Sequence, residues 1–231
     1  MAIKTFVISL ARSIDRRKNV SNQLSIPFDF INAIDAQEQD FLYSDRPLPK
    51  ITKKKFGYTL TQGEVACFAS HLYVWKKILE LNKPVLVLED NVEITEYFSE
   101  GYKQLELLAQ KYDHIKLFAI KKHTPILISK INKRISIVRY RRKSAGTTGY
   151  VITPKAAQAF IDNAHHFIEP VDEYMSKSYK HGITEYAFYP DIVIRSDSPS
   201  VIGKDRKAKG NLTFLNKLYL ELFRFYERVK N

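Results

Sequence analysis

The chain is poor in the residues that staple secreted folds. Among its 231 residues there is one cysteine, Cys67, so no internal disulfide can form and a reducing compartment is expected. No stretch reaches the roughly 18 apolar residues of a membrane-spanning helix. The opening MAIKTFVISLARSIDRR has an apolar run too short, and basic residues too late, for a secretory signal. These absences set the expected location: the cytoplasm, extending to the cytoplasmic face of a bacterial inner membrane. There is no internal repeat and no low-complexity segment. Acidic residues are scarce relative to basic ones, 25 against 37, which leaves a formal charge of +12. Such a balance favours polyanionic neighbours, whether nucleic acid, nucleotide phosphates or an acidic membrane face. Helix-turn-helix, zinc-ligand and ribonucleoprotein signatures are all missing, which ranks nucleic acid last of the three. What is present is ample core material, 45% hydrophobic and 13% aromatic, enough to exclude disorder.

Thr5–Leu10 (TFVISL) reads as a first strand, followed by a helix opened by Ser13 and Asp15 and running to about Leu24. Phe28–Ile34 reads as a second strand. Residues 36–58 are polar, lysine-rich and proline-containing, and read as a long excursion over a site. Thr61 and Glu64 have the spacing of a capping box. Val65, Phe68, Leu72, Trp75 and Leu79 then mark one buried helical face. Val85–Leu88 (VLVL) is continuously apolar, as in a strand covered on both sides. Further on, the pattern predicts a helix over 95–111, strands at 115–120, 126–128, 135–140 and 149–152, a helix from Pro154, a helix over 172–181 and a strand over 185–189. Alternating strands and helices predict an α/β fold with a central sheet flanked by helices. The division expected is residues 1–203 as one domain and 204–231 as a tail. That tail has a net charge of +5, with Phe214, Leu215, Leu218, Leu222, Phe225 and Val229 at helical spacing. It reads as a basic amphipathic helix, lying on an anionic membrane or packing on the domain.

The sharpest chemical feature is Leu88-Glu89-Asp90-Asn91, an apolar strand ending in two acids and an amide. Strand ends of open α/β sheets are where ligands bind. Hard oxygen donors there suit Mg2+ or Mn2+ held against a diphosphate. The alternative is a turn with solvated acids. Glu64 and His71 fall on one helical face, and His71 reads either as a ligand or acid or as a satisfied, partly buried histidine. Cys67 reads as core. The run from Lys121 to Lys143 has nine basic residues and no acid, and Gly203–Lys207 reads as a closing tail or as disorder.

The segment from Leu60 to His71 (LTQGEVACFASH), with Val74-Trp75-Lys76 and Val87-Leu88-Glu89-Asp90, resembles glycosyltransferase family 25. Ile8-Ser9-Leu10 with Asp15-Arg16-Arg17, Gly149–Ile152 with Ala156-Ala157, and Pro170–Tyr174 (PVDEY) agree with that family in the same order, so the resemblance spans residues 5 to about 203. It implies the GT-A architecture, a mixed sheet flanked by helices that binds a UDP-sugar, and inverting transfer of a hexose, galactose or glucose, to a lipooligosaccharide or lipopolysaccharide acceptor. It implies a divalent metal, Mn2+ or Mg2+, on Glu89, Asp90 and Asn91. The family carries an acid where this chain has Asn91, which weakens the metal site or shifts its burden to Asp90. Asp172, with Glu173 as rival, is the implied base that takes the acceptor's proton; Asp172 as a simple helix cap is the other reading. Ile8, Ser9 and Leu10 would lie beside uracil or ribose, with Arg12, Arg16 or Arg17 near the base or phosphates. A degenerate protein that binds a UDP-sugar without turnover is the alternative that Asn91 raises.

Overall fold

The computed structural model describes residues 3–120, 123–142, 144–196 and 214–230. The strands are β1 (Lys4–Ser9), β2 (Asp29–Asn32), β3 (Val85–Glu89), β4 (Val92–Ile94), β5 (His114–Lys116), β6 (Pro125–Lys130), β7 (Ser136–Tyr140), β8 (Gly149–Ile152), β9 (Glu185–Tyr189) and β10 (Val193–Arg195). The helices are α1 (Ile14–Gln23), α2 (Pro49–Phe56), α3 (Gln62–Leu81), α4 (Phe98–Tyr102), α5 (Leu105–Ala109), α6 (Pro154–Asn163), α7 (Val171–Met175), α8 (Ser178–His181) and α9 (Phe214–Lys230).

Eight strands form one mixed sheet in the order β2-β1-β3-β8-β5-β9-β7-β6, and β4 pairs with β10 in a separate ribbon. The pleat sorts side chains by parity. Phe6, Ile8, Val85, Val87, Tyr150 and Ile152 face one core, which α3, α6 and α7 close with Phe68, Trp75, Phe160 and Tyr174. Val7, Leu86, Leu88 and Val151 face a second core, closed by Val20 of α1, Phe98 of α4 and Leu105 of α5. The VLVL run is continuously apolar because β3 is buried on both faces. This is the expected mixed sheet flanked by helices.

Parallel pairing of β1 with β3 sets Ile8 opposite Glu89 and brings both strand ends to one edge of the sheet. The Asp90 amide closes the pair by donating to the Ile8 carbonyl at 3.1 Å. On the same edge α3 begins with the predicted capping box: Thr61 caps the helix and Glu64 returns a carboxylate to the Thr61 amide at 3.0 Å.

Several expectations are corrected. The helix expected over 95–111 is two short helices, α4 and α5, with Lys103 and Gln104 as turn residues between them. Gly101 fits there closely: a Cβ would come within 2.8 Å of Ile192. The 36–58 excursion contains α2, opened by Pro49 and stopped by Gly57 in the left-handed region. The helix expected over 172–181 is α7 followed by α8. The three-residue β4 and β10 are too short for a period-two pattern to reveal.

The tail helix packs on the domain. Phe223 of α9 meets Phe56 of α2 edge to face, with ring centroids 5.6 Å apart, and Leu220 and Glu227 are buried. Glu227 pairs with the fully buried Lys177, which also pairs with Glu169. Burial lowers the Lys177 ammonium's proton affinity, but these two carboxylates outweigh it and raise its pKa. The opposite face of α9 leaves Leu218, Leu222, Phe225 and Val229 exposed. Among the described residues no helix is long and apolar enough to cross a membrane. Lys121, Lys122, Lys143 and the Gly203–Lys207 segment lie outside the described residues; the rest of the basic run forms the β6–β7 hairpin at the sheet's end.

Candidate active site

A cavity of about 300 Å³ opens at the edge where β1 and β3 end. Its walls include the β1 end (Ile8, Ser9, Leu10), the segment after β2 (residues 33–37), the turn after β3 (Glu89, Asp90, Asn91), the first turns of α3, the residues before β8 (146–148) and the start of α7 (Pro170, Val171, Asp172). Segments far apart in the chain thus converge at the carboxyl ends of two parallel strands, where open α/β sheets receive ligands.

Asp90 is held from both sides. Ser9 Oγ donates to its Oδ2 at 2.7 Å, and Arg16 Nη1 donates to its Oδ1 at 3.0 Å. Arg16 projects from α1 and lines the cavity beside this carboxylate. Arg12 also lines the cavity and grips Asp35 with two hydrogen bonds, at 2.5 and 3.2 Å. Arg17 does otherwise: it donates to the Ser9 carbonyl at 2.9 Å and to Asn32 Oδ1 at 2.6 Å, and lies over the Phe30 ring. It ties β1 to β2 and is not among the residues lining the cavity.

Glu89 sits at the centre of a directed chain. Trp75 Nε1 donates to the Tyr150 hydroxyl at 3.1 Å. The Tyr150 proton is then directed at His71 Nδ1, 2.8 Å away, which places a proton on Nε2 for Glu89 Oε1 at 3.3 Å. Tyr150 is fully buried, and burial raises its pKa far above that of an exposed phenol, so it stays protonated. Thr147 Oγ1 donates to the same Glu89 oxygen, and Asn91 Nδ2 donates to Oε2 at 3.2 Å. Burial pushes the Glu89 carboxyl up. The hydrogen bond from His71, the Thr147 hydroxyl and the charge of Arg195 outweigh it and hold Glu89 below its ordinary value.

Because its amide nitrogen is committed to Glu89, Asn91 turns its carbonyl oxygen the other way. That Oδ1 is buried and has no hydrogen-bond partner, and Asn91 lines the cavity. A buried acceptor left open at a cavity wall is what a hard cation or a donor group would satisfy.

Across the cavity, Asp172 Oδ2 accepts from the Gly146 amide at 3.2 Å and Oδ1 accepts from the Glu173 amide at 2.9 Å. Gly146 adopts φ +93°, a conformation only glycine takes easily, and this aims its N–H at Asp172. Beneath it the buried Lys116 clamps the loop. Its ammonium donates to Ser144 at 3.2 Å and Ser176 at 3.1 Å and pairs with Glu185 at 3.1 Å. Ser144 precedes the Gly146 turn and Ser176 follows α7, so one cation fixes both walls. Glu173 shares the turn with Asp172 but does not line the cavity.

The cavity thus unites Ile8, Ser9, Leu10, Arg16, Glu89, Asp90, Asn91 and Asp172, and leaves Glu173 aside. His71 is buried with a partner on each ring nitrogen. Cys67, read as core, is half-buried and lines the cavity instead. Thr147 and Arg195 are among the residues that escaped the sequence reading. Thr147 stands in a connection with no pattern, and Arg195 reaches the cavity only because β10 pairs with β4, setting Arg195 opposite Val92.

An α/β sheet whose parallel strand ends present an acidic turn, flanking arginines and a facing carboxylate around one cavity defines a ligand-binding α/β protein. The family model described as glycosyltransferase family 25 (LPS biosynthesis protein) matches residues 2–175, and the chain belongs to that family. It is 27% identical over 164 residues to the lipooligosaccharide biosynthesis protein lic2B of Haemophilus influenzae, covering 66% of this chain and 60% of that protein. It is 30% identical over 201 residues to human procollagen galactosyltransferase 2, covering 80% of this chain and 32% of that protein. With the lacto-N-neotetraose biosynthesis glycosyltransferase LgtE of Neisseria meningitidis it shares 26% over 172 residues, 69% of this chain and 60% of that one. The chain therefore spans between about a third and three fifths of the length of these relatives.

Proposed function

We propose that this chain is an inverting GT-A hexosyltransferase that moves galactose or glucose from a UDP-sugar to a lipooligosaccharide or lipopolysaccharide acceptor. Residues 1–203 would form the transferase domain. The observation that carries this reading is that the β1 end, the Glu89-Asp90-Asn91 turn and Asp172 share one cavity, in a chain belonging to a glycosyltransferase family. The relatives' names supply the acceptor class and galactose as the leading donor sugar.

In this reading the Ile8–Leu10 backbone receives the nucleoside, and Arg16 and Arg195 face the diphosphate as it departs. Asp172 takes the acceptor hydroxyl's proton as that oxygen attacks the anomeric carbon from the face opposite the diphosphate. The Gly146 amide keeps Asp172 aimed, and Glu173 is the fallback base.

The residues present fit a hard divalent cation, Mn2+ or Mg2+. The open Asn91 Oδ1 and the Asp90 carboxylate are oxygen donors on adjacent residues, and Glu89 orients the Asn91 amide. Such a cation would supply charge neutralisation for the departing diphosphate. An amide in place of an acid lowers the charge of the donor set, and Arg16 on Asp90 compensates on the phosphate side.

The exposed apolar row Leu218, Leu222, Phe225 and Val229, with Arg224 and Lys230 on the same helix, supports peripheral contact with an anionic inner membrane at its cytoplasmic face. The +12 charge agrees with a lipid acceptor bearing phosphates, and no motif supports nucleic acid.

The test is transfer from UDP-galactose and UDP-glucose, with Mn2+, onto truncated lipooligosaccharide, with the product's anomeric configuration read by NMR. Inversion is expected, with Asp172→Asn lowering turnover about 10²–10⁴-fold while donor binding persists. Retention of configuration, or full turnover in Asp172→Asn, would remove the assigned mechanism.

A further inference from the structure

We propose that Cys67, His71 and Glu89 form a second metal site, selective for a borderline-soft transition ion such as Zn2+ and separate from the hard oxygen donors Asp90 and Asn91. This goes beyond the transferase reading and shares only Glu89 with it.

The three ligand atoms, one sulfur, one nitrogen and one oxygen, lie within 4.8 Å of one another. Cys67 and His71 are four residues apart on α3, so one helical turn stacks them on the same face. Glu89 meets them from the end of β3, and all three line the cavity, which gives an ion a path of entry.

The geometry matches a tetrahedral ion. His71 Nε2 and Glu89 Oε1 stand 3.3 Å apart, the edge of a tetrahedron with metal–ligand bonds of about 2.05 Å. A thiolate bond of about 2.3 Å calls for a sulfur edge of about 3.5 Å, so the sulfur has at most about 1.3 Å to close from the 4.8 Å bound. Shared movement of the Cys67 and Glu89 side chains toward the ion closes that distance.

The outer partners are also in place. Ligating histidines hold their second nitrogen on a hydrogen-bonding group, and ligating carboxylates are themselves hydrogen-bonded. Here Tyr150 Oη lies 2.8 Å from His71 Nδ1, and Thr147 and Asn91 donate to Glu89. Binding needs a bare Nε2, so the His71 proton moves to Nδ1 facing Tyr150 Oη, and the Tyr150 proton rotates out of that line, giving up its present bond to Nδ1. The thiol releases its proton to solvent. The donor chemistry separates this site from its neighbour, since thiolate and imidazole select zinc-like ions, whereas carboxylate and amide oxygens suit Mn2+ and Mg2+.

The test is titration of the full chain with Co2+, a zinc stand-in that absorbs. Cys67 is the only cysteine, so a thiolate-to-cobalt charge-transfer band reports this site alone. The expected result is one equivalent of tetrahedral Co2+, displaced by Zn2+ and not by Mn2+. Glu89→Gln and His71→Gln should each weaken binding by about 100-fold or more, and Thr147→Val by roughly 10–100-fold. Circular dichroism checks that each variant is folded; should the buried His71 variant fail to fold, the near-isosteric Glu89→Gln decides. A wild-type chain with no such band overturns the proposal. So does a folded Glu89→Gln chain that binds Co2+ with unchanged affinity, since that is a cysteine acting without the site. Neither result depends on sugar transfer, so failure here leaves the transferase reading standing.

Discussion

Trp75, Tyr150, His71 and Glu89 form a chain in which each bond hands on to the next, and that makes its members unequal to substitution. Replacing Tyr150 with Phe leaves the buried Trp75 N–H and His71 Nδ1 without partners. An unmet buried polar group costs about 1–3 kcal/mol, which in a domain of this size lowers the melting temperature by several degrees, roughly 2–4 °C per kcal/mol. A thermal melt of Tyr150→Phe checks it; an unchanged midpoint would contradict the assigned directions. The fully buried His114 makes a different prediction. Neither ring nitrogen has a hydrogen-bond partner, and its edge faces Tyr150 and Phe160. Burial lowers its pKa to about 3, and burial likewise lowers that of His181 to about 4. Each is depressed below the ordinary 6.5, so the unfolded chain binds more protons between those values and stability falls as pH drops below about 6.5. By pH 5 the loss is about 2 kcal/mol per histidine. Melts at pH 7.5 and pH 5 should show this, and His114→Phe should remove about half the difference. Neither histidine could have been singled out beforehand, because burial on a short strand or a four-residue helix leaves no local pattern.

At the scale of elements, the sequence was most legible where local chemistry and burial agree. The VLVL strand, the acidic turn after it and the Thr61–Glu64 capping box could all be read before any packing was known, since each is defined by residues within five positions of one another. The failures share a cause. Helices α4 and α5 bury Phe98, Leu105, Leu108 and Ala109 in one core, so the apolar pattern runs on through the turn residues Lys103 and Gln104 that separate them. Strands β4 and β10 are three residues each and exist through their mutual pairing. Arg195 enters the cavity on β10 and Thr147 on the connection before β8, so the acidic side of the site was foreseeable and much of its cationic and hydroxyl side was not. Lys116 reads in sequence as an ordinary strand lysine, yet it joins the β7–β8 connection to α7 through Ser144, Ser176 and Glu185. Lys116→Ala removes the cation facing the part-buried Glu185, which keeps its bonds from Ser144 and Ser176, and losing one partner of such a pair costs about 3 kcal/mol, the low end for buried pairs. We expect a melting temperature lower by about 10 °C and weakened control of Asp172, seen as a fall in kcat larger than any change in donor affinity. Equal kcat would detach Lys116 from the site.

Across the whole molecule, one helix bridges two duties. Helix α9 docks through Leu220, Phe223 and Glu227 and turns Leu218, Leu222, Phe225 and Val229 outward. Its periodicity was plain in the sequence, but a hydrophobic pattern alone does not say which apolar face is covered, and the structure divides the two. Sedimentation with vesicles containing anionic lipid should carry the chain down at low salt. Leu222→Asp with Phe225→Asp should abolish this without lowering the melting temperature by more than a degree or two. Loss of fold in that variant would mean that the outward row is part of the core. The edge where β1 and β3 end gathers the β1 backbone proposed to receive the nucleotide, the acidic turn and the facing Asp172. The most direct measurement is calorimetric titration of UDP-galactose and UDP into the wild-type chain and Asp90→Ala, with and without Mn2+. The account predicts one-site binding by the wild type that Mn2+ strengthens, and loss of that strengthening in Asp90→Ala. Binding that is identical in the two proteins, with Mn2+ or without it, would contradict it.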